Sequence, residues 1–209
     1  MARERMPEDA RRRQLLEAAF TVAAREGISG VTVRAVAAEA GVSHGLLLFH
    51  FGTKERLVAE LLDWLIENTS VLHVSEDVAR FPLALDRLQA LLQQEIDRVS
   101  HQPDHTRLFL EFWALGAQDE SIRTRIRAEV VRYRAAFLAI IDEVLHAETA
   151  VPAGATAAGL SAIAVSLIQG CAVQALIDPE HFDTDEYVAA VRALIGQARG
   201  SGGGAAVYR

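Results

Sequence analysis

Apolar side chains recur at three- and four-residue spacing along almost the whole of this 209-residue chain, and the runs stop at proline or glycine. Such spacing gathers an apolar stripe on one side of a 3.6-residue helix. Leu15, Ala18, Ala19, Val22 and Ala23 show the repeat, with Pro7, Glu8 and Asp9 suited to the first turn and Gly27 to the end. Ile28 to Gly30 then link to a second helix, capped by Thr32, with Val33, Val36, Ala37 and Ala40 inward. Ser43 caps a third helix to about Phe49, and Thr53 a long fourth through Leu57, Leu61, Trp64, Leu65 and Asn68. Further helices are predicted over 83–100, 104–117, 121–147, 155–176 and 184–198. They are separated by Phe81-Pro82, Gln102-Pro103, Gly116 to Asp119, Pro152 to Gly154 and Asp178-Pro179. Asp183, with Glu186 three residues on, has the form of a capping box. No strand-like alternation and no internal repeat competes with this pattern. The predicted fold is all-α: a three-helix N-terminal head (1–53), a six-helix body (54–199) and a flexible Gly/Ser tail (200–209).

Charge divides in the same place. Residues 1–56 carry nine Lys/Arg against seven Asp/Glu, whereas the rest carries twelve against twenty-one, for a formal net charge of −7. A basic head on an acidic body can still meet phosphates, provided the basic face is the one presented. With 51% hydrophobic residues the chain can bury a substantial core. The single cysteine, Cys171, excludes an internal disulfide framework and fits a reducing compartment; in its apolar segment an inert buried thiol is expected. The first dozen residues are rich in Arg, Glu and Asp and do not form a signal peptide, so a cytoplasmic location is expected. Residues 149–177 carry no charge, and 160–177 is about the length of a membrane span. Ser161, Ser166, Gln169 and Gln174 lower its hydropathy and flanking basic and aromatic anchors are lacking, so it is read as a helix buried in an oligomer core and not as a span.

The most informative stretch, Thr32 to Lys54, reads TVRAVAAEAGVSHGLLLFHFGTK. Two short helices about an Ala40-Gly41-Val42-Ser43 turn have the layout of a helix-turn-helix, whose second helix enters the DNA major groove. Gly41 supplies the left-handed conformation that the turn requires. At the start of the reading helix, Ser43, His44 and Gly45 allow close backbone approach. The stretch resembles the DNA-binding signature of the TetR family of ligand-responsive transcription repressors. The match covers Val33 and Val36, Ala37, the AGVS turn, Gly45, Leu47, the His50-Phe51 pair and Lys54.

That resemblance implies a homodimer on a near-palindromic double-stranded DNA operator, released by a small-molecule effector. It places Thr32, Arg34, Ser43, His44, Leu46, Leu48, His50 and Lys54 toward DNA, with Gly45 at the point of close approach. Lys54, opening the fourth helix, is expected on a phosphate. Arg3, Arg5, Arg11, Arg12 and Arg13 offer further backbone contacts. Leu48 departs from the family, where tyrosine is usual. Leucine donates no hydrogen bond but can touch a thymine methyl, so shape readout and phosphate positioning are expected to carry much of the specificity. Leu47 and Phe49 are assigned to the core.

For the body, the helices over 160–176 and 187–195 are expected to form the dimer interface. Trp64, Asn68, Phe109, Phe112, Trp113, Tyr133, Phe137 and Gln169 are expected to line an apolar effector site with a few polar groups. The segments 108–114 (LFLEFWA) and 164–180 (AVSLIQGCAVQALIDPE) resemble the BetI-like branch of the family. This implies a choline-like or other cationic ligand, with Glu111 and aromatic faces as its partners. No metal site or cofactor is expected: His44 and His50 lie six apart, and Pro103 breaks the spacing of His101, Asp104 and His105. No Ser/His/Asp or Cys/His grouping or phosphate-binding glycine loop supports an enzyme. A non-specific architectural DNA binder is the alternative.

Overall fold

A computed structural model describes residues 7–69, 75–147 and 154–200. Among them are ten helices and no strand. They are α1 (Glu8–Gly30), α2 (Val33–Glu39), α3 (His44–Phe51), α4 (Lys54–Thr69), α5 (Glu76–Ala79), α6 (Ala84–His101), α7 (Pro103–Gly116), α8 (Glu120–Ala147), α9 (Ala157–Ile177) and α10 (Thr184–Gly200). The expected all-α fold is therefore the observed one. The single addition is α5, whose four residues are too few to show a repeat; Ser75 caps it by accepting a hydrogen bond from the Val78 amide. Gly200, the first residue of the expected tail, closes α10; the rest of the tail, 201–209, and the arm residues Arg3 and Arg5 lie outside the described residues.

The chain forms two compact units: residues 1–70 with 104–129, and residues 71–103 with 130–209. The helix α8 contributes to both, and α4 and α7 belong with α1–α3.

In the first unit, α1 buries Leu15, Leu16, Ala18, Ala19, Val22 and Ala23 against α2 and α4. Val36 and Ala37 of α2, Leu47 and Phe51 of α3, and Leu57, Leu61 and Leu65 of α4 complete this core. Emptying the Phe51 site alone would cost about 3–5 kcal/mol. Gly27 breaks α1 with φ 74° and ψ 175°, a conformation open essentially to glycine alone. Gly41, at φ 64°, closes α2: its amide bonds Ala38 O (3.2 Å) and the Val42 amide bonds Ala37 O (2.9 Å). This pair of bonds is the Schellman arrangement, which satisfies carbonyls that the helix end leaves open.

In the second unit, Leu85, Leu88, Leu92 and Ile96 of α6 meet Phe137, Ile140 and Ile141 of α8, Val165, Ile168 and Cys171 of α9, and Val188 and Val191 of α10. The Tyr187 hydroxyl donates to the Leu167 carbonyl (2.8 Å), tying α10 to α9. Asp183 Oδ1 accepts from the amides of Asp185 (2.8 Å) and Glu186 (3.0 Å), as expected of the cap of α10. Burial pushes the Cys171 thiol up to about 11.

Candidate nucleic-acid interface

Side-chain caps fix where α2 and α3 begin. Thr32 Oγ1 accepts from the Ala35 amide (3.1 Å) and Ser43 Oγ from the Leu46 amide (3.2 Å), each satisfying a donor in the first turn. Both hydroxyl protons stay available for an outside acceptor. Thr53 caps α4 in the same way through the Arg56 amide (3.1 Å), which sets Lys54 in its first turn. Thr32, Arg34, Ser43, His44, Gly45, Leu48 and Lys54 are exposed; Leu46 and His50 are half-buried. Arg34 and His44 make no hydrogen bond or ion pair among the described residues. The nine expected DNA-facing positions thus lie in one unit, on α2, α3, their caps and the start of α4.

Two assignments change. Phe49 is 78% exposed, not in the core; Phe51, two residues on, is the one that packs inward. Leu47 and Phe51, four apart, share the inward face of α3, whereas Phe49 lies two positions from each and points away from it. Arg12 is also unavailable to a backbone arm. It pairs with Glu60, donates to the His50 carbonyl (2.9 Å) and lies over the Phe51 ring, 4.9 Å from its centroid. There it serves α3 as a brace at its C-terminal turn, where cations suit the helix dipole. Arg11 donates to Gln14 (2.7 Å), and Arg13 is exposed.

Glu111 is also claimed. Its Oε2 accepts from the Ile28 amide (2.8 Å) and its Oε1 from Arg107 (3.2 Å), while Arg107 donates to the Ala24 carbonyl. Two side chains of α7 therefore close the end of α1 across the Gly27 break, and Glu111 is committed to that role, not free for a cationic ligand. Beside it, a cleft of about 530 Å³ is lined by Ile28, Lys54, Glu55, Glu111, Leu115 and Gln118, among others. Glu111, expected as the partner of a cationic ligand, is on its wall, but none of Trp64, Asn68, Phe109, Phe112, Trp113, Tyr133, Phe137 and Gln169 lines it.

Those residues fall in both units. In the first, Trp64 packs against Phe20 (centroids 5.4 Å), Asn68 is exposed and donates to the Trp64 carbonyl, and Phe112 is fully buried. Phe109 and Trp113 are half-buried, and the buried Trp113 Nε1 has no partner among the described residues. In the second, Phe137 is fully buried and meets Tyr133 edge-on (5.7 Å, 86°), and Gln169 is half-buried.

The Tyr133 hydroxyl donates to Glu95 Oε2 (2.7 Å), which also receives Arg98 (2.9 Å). Burial, and then the Glu95 carboxylate, hold this phenol well above its ordinary value. Glu95 is 0% exposed, and its Oε1 has no partner among the described residues. It was not legible beforehand, because a glutamate within an amphipathic helix reads as solvated surface. Among the described residues no three His, Cys, Asp or Glu side chains gather as a metal site. The His101 Nδ1 instead meets the Asp97 carbonyl (2.6 Å), and the His105 ring stacks on Phe20.

Comparison with known proteins agrees with this geometry. The sequence model of bacterial regulatory proteins of the tetR family matches residues 15–61, and that of the BetI-type transcriptional repressor C-terminal region matches 84–199. The HTH-type transcriptional regulator BetI of Vibrio vulnificus is 25% identical over 178 residues, covering 84% of this chain and 86% of its own. A transcriptional regulator of Pseudomonas aeruginosa PAO1 superposes with a TM-score of 0.77 at 23% identity, over 95% of this chain and 94% of its own. A Saccharomonospora viridis regulator in complex with choline gives 0.72 at 20%, over 90% and 97%. With a helix-turn-helix on α2 and α3 and a matched region spanning more than half of its length, the chain belongs to the TetR family of transcriptional regulators and carries a BetI-type C-terminal region.

Proposed function

We propose that this protein is a ligand-responsive repressor that binds a near-palindromic operator as a homodimer and is released by a small-molecule effector. The observation that carries the DNA half is the exposed face of α3. Ser43, His44, Gly45 and Leu48 project from a capped helix with no acidic residue, and exposed Arg34 and Lys54 lie on the neighbouring helices. Thr32, Leu46 and His50 complete the proposed DNA-facing set, and residues 1–53 are its domain.

Dimerisation is supported by α9. This helix is 21 residues long with a mean hydropathy of 1.9, enough by composition to cross a membrane. One side of it supplies Val165, Ile168 and Cys171 to the core, while Ile163, Ser166, Gly170, Val173 and Ile177 repeat at three- and four-residue spacing on the other. Ile163 and Ile177 are exposed, and a Cβ added at Gly170 would meet nothing within 4 Å. An apolar stripe with small residues suits a second copy of the same helix, and exposed Leu194 extends the surface onto α10. This reading places the protein in the cytoplasm.

Effector recognition is assigned to residues 54–199. Trp64, Asn68, Phe109, Phe112 and Trp113 are the proposed contacts in the first unit, and Tyr133, Phe137 and Gln169 in the second. Glu95 adds a buried acceptor beside Tyr133 for a donor group on the effector. The choline bound by the S. viridis regulator makes choline-like cations the first compounds to try. Such a ligand must bind the DNA-incompetent state more tightly, by the factor through which it weakens operator binding.

The test is selection of DNA from a random pool, followed by measurement of the mass of the complex. A palindromic consensus bound by two chains is the expected result. Binding without sequence preference would replace the repressor by an architectural DNA binder, and turnover of a small molecule would replace it by an enzyme.

A further inference from the structure

Phe49 and Leu48 are 78% and 44% exposed on α3. Residues four apart on a helix share one line of its surface, so His44 lies beneath Leu48 and Gly45 beneath Phe49, and the four make a single outward face. A Cβ added at Gly45 would meet only Ser43 Oγ, at 4.0 Å, so this face is low one turn before the ring. The ring itself is braced. It stands edge-on to the His50 ring (centroids 5.3 Å, 82°), and the His50 carbonyl is held by Arg12. Single exposed apolar residues need no explanation. Here, however, two adjacent ones occupy the helix that the fold presents to DNA, and neither side chain can donate or accept a hydrogen bond. On the major-groove edge of a base pair, the apolar group available to them is the thymine 5-methyl.

We propose that Leu48 and Phe49 form an apolar reader that recognises thymine 5-methyl groups, so that methyl contacts set much of the operator sequence. The inference rests on the operator-binding reading above and assigns to Phe49 a specificity role. Withdrawing one methyl-sized group from such a contact weakens binding about fourfold.

The test uses the full chain and the DNA that it selects from a random pool. Each thymine is replaced in turn by deoxyuridine, which lacks only the methyl, and affinity is read by fluorescence anisotropy. The wild type should lose about fourfold at particular thymines in each half-site. Where such a T·A pair is changed to C·G, 5-methylcytosine should restore part of the affinity. Phe49→Ala should keep the wild-type unfolding midpoint and be indifferent to deoxyuridine at its own thymine, whereas Phe49→Leu should retain some sensitivity. Uniform indifference of the wild type to deoxyuridine would overturn the proposal, as would unchanged sensitivity in both Phe49→Ala and Leu48→Ala. Failure to select any DNA would overturn the operator-binding reading and this one with it, so the two failures are distinguishable.

Discussion

Replacing Glu111 by alanine removes the acceptor of the Ile28 amide and one partner of Arg107. A hydrogen bond to a charged acceptor contributes about 1.5–3 kcal/mol net. The ion pair adds little: Arg107 and Glu111 are 37% and 34% exposed, and solvated pairs are worth about 0–1 kcal/mol. The expected loss is therefore about 2 kcal/mol, carried mainly by the amide bond. For a chain of this length each kcal/mol is about 2–4 °C, so Glu111→Ala should melt about 4–8 °C below the wild type. Glu111→Gln keeps an oxygen in place and should lose roughly half as much, since neutral hydrogen bonds are roughly half as strong as charge-assisted ones. Thermal unfolding followed by circular dichroism measures both. Because Ile28 opens the link from α1 into α2, operator affinity should fall in the same order. A melting temperature unchanged in Glu111→Ala would refute the reasoning, as would Gln behaving no better than Ala.

Ser43→Ala deletes the cap of α3 and should cost about 1 kcal/mol of stability, with operator affinity falling in parallel; unchanged affinity would contradict the placement of His44 and Gly45 by that cap. Ile177→Glu puts charge on the exposed stripe of α9 and should convert the proposed dimer to monomer in sedimentation, while unaltered mass would remove α9 from the interface. With its thiol pushed from 9.0 to about 11, Cys171 is neutral in both folded and unfolded chains well below pH 9.0. Between those values the unfolded chain ionises first, so stability should decline with rising pH more steeply in the wild type than in Cys171→Ala. An equal fall of the denaturant midpoint with pH in both proteins would contradict the burial of this thiol.

Local signals were legible before any coordinates. Thr32, Ser43, Thr53 and Asp183 are caps because a short oxygen-bearing side chain precedes an apolar repeat, and each accepts the expected amide. Gly27 breaks α1 and Gly41 ends α2 because glycine takes those backbone angles without strain. What stayed hidden depends on partners distant in sequence. Glu111 is 83 residues from Ile28, and Arg12 is 48 from Glu60, so no spacing rule links either pair. Phe49, expected in the core, is exposed because it lies two positions from Leu47; Phe51, four positions on, shares the buried face, a spacing that the apolar run Leu46 to Phe49 obscures. Glu95 is hidden for the opposite reason: its helix is strongly amphipathic, yet its carboxylate is buried and accepts the Tyr133 hydroxyl, not water.

The central claim, that the α3 head engages DNA phosphates and bases as a pair, is tested most directly by titrating salt against operator affinity. Each phosphate neutralised contributes about −0.9 to the slope of log K against log salt. The account predicts a steep negative slope for the wild type. In Lys54→Ala that slope should become shallower by about 2, one phosphate lost from each half of the dimer, while the order of preference among operator variants is kept. A flat wild-type slope, or one unaltered in Lys54→Ala, would contradict it.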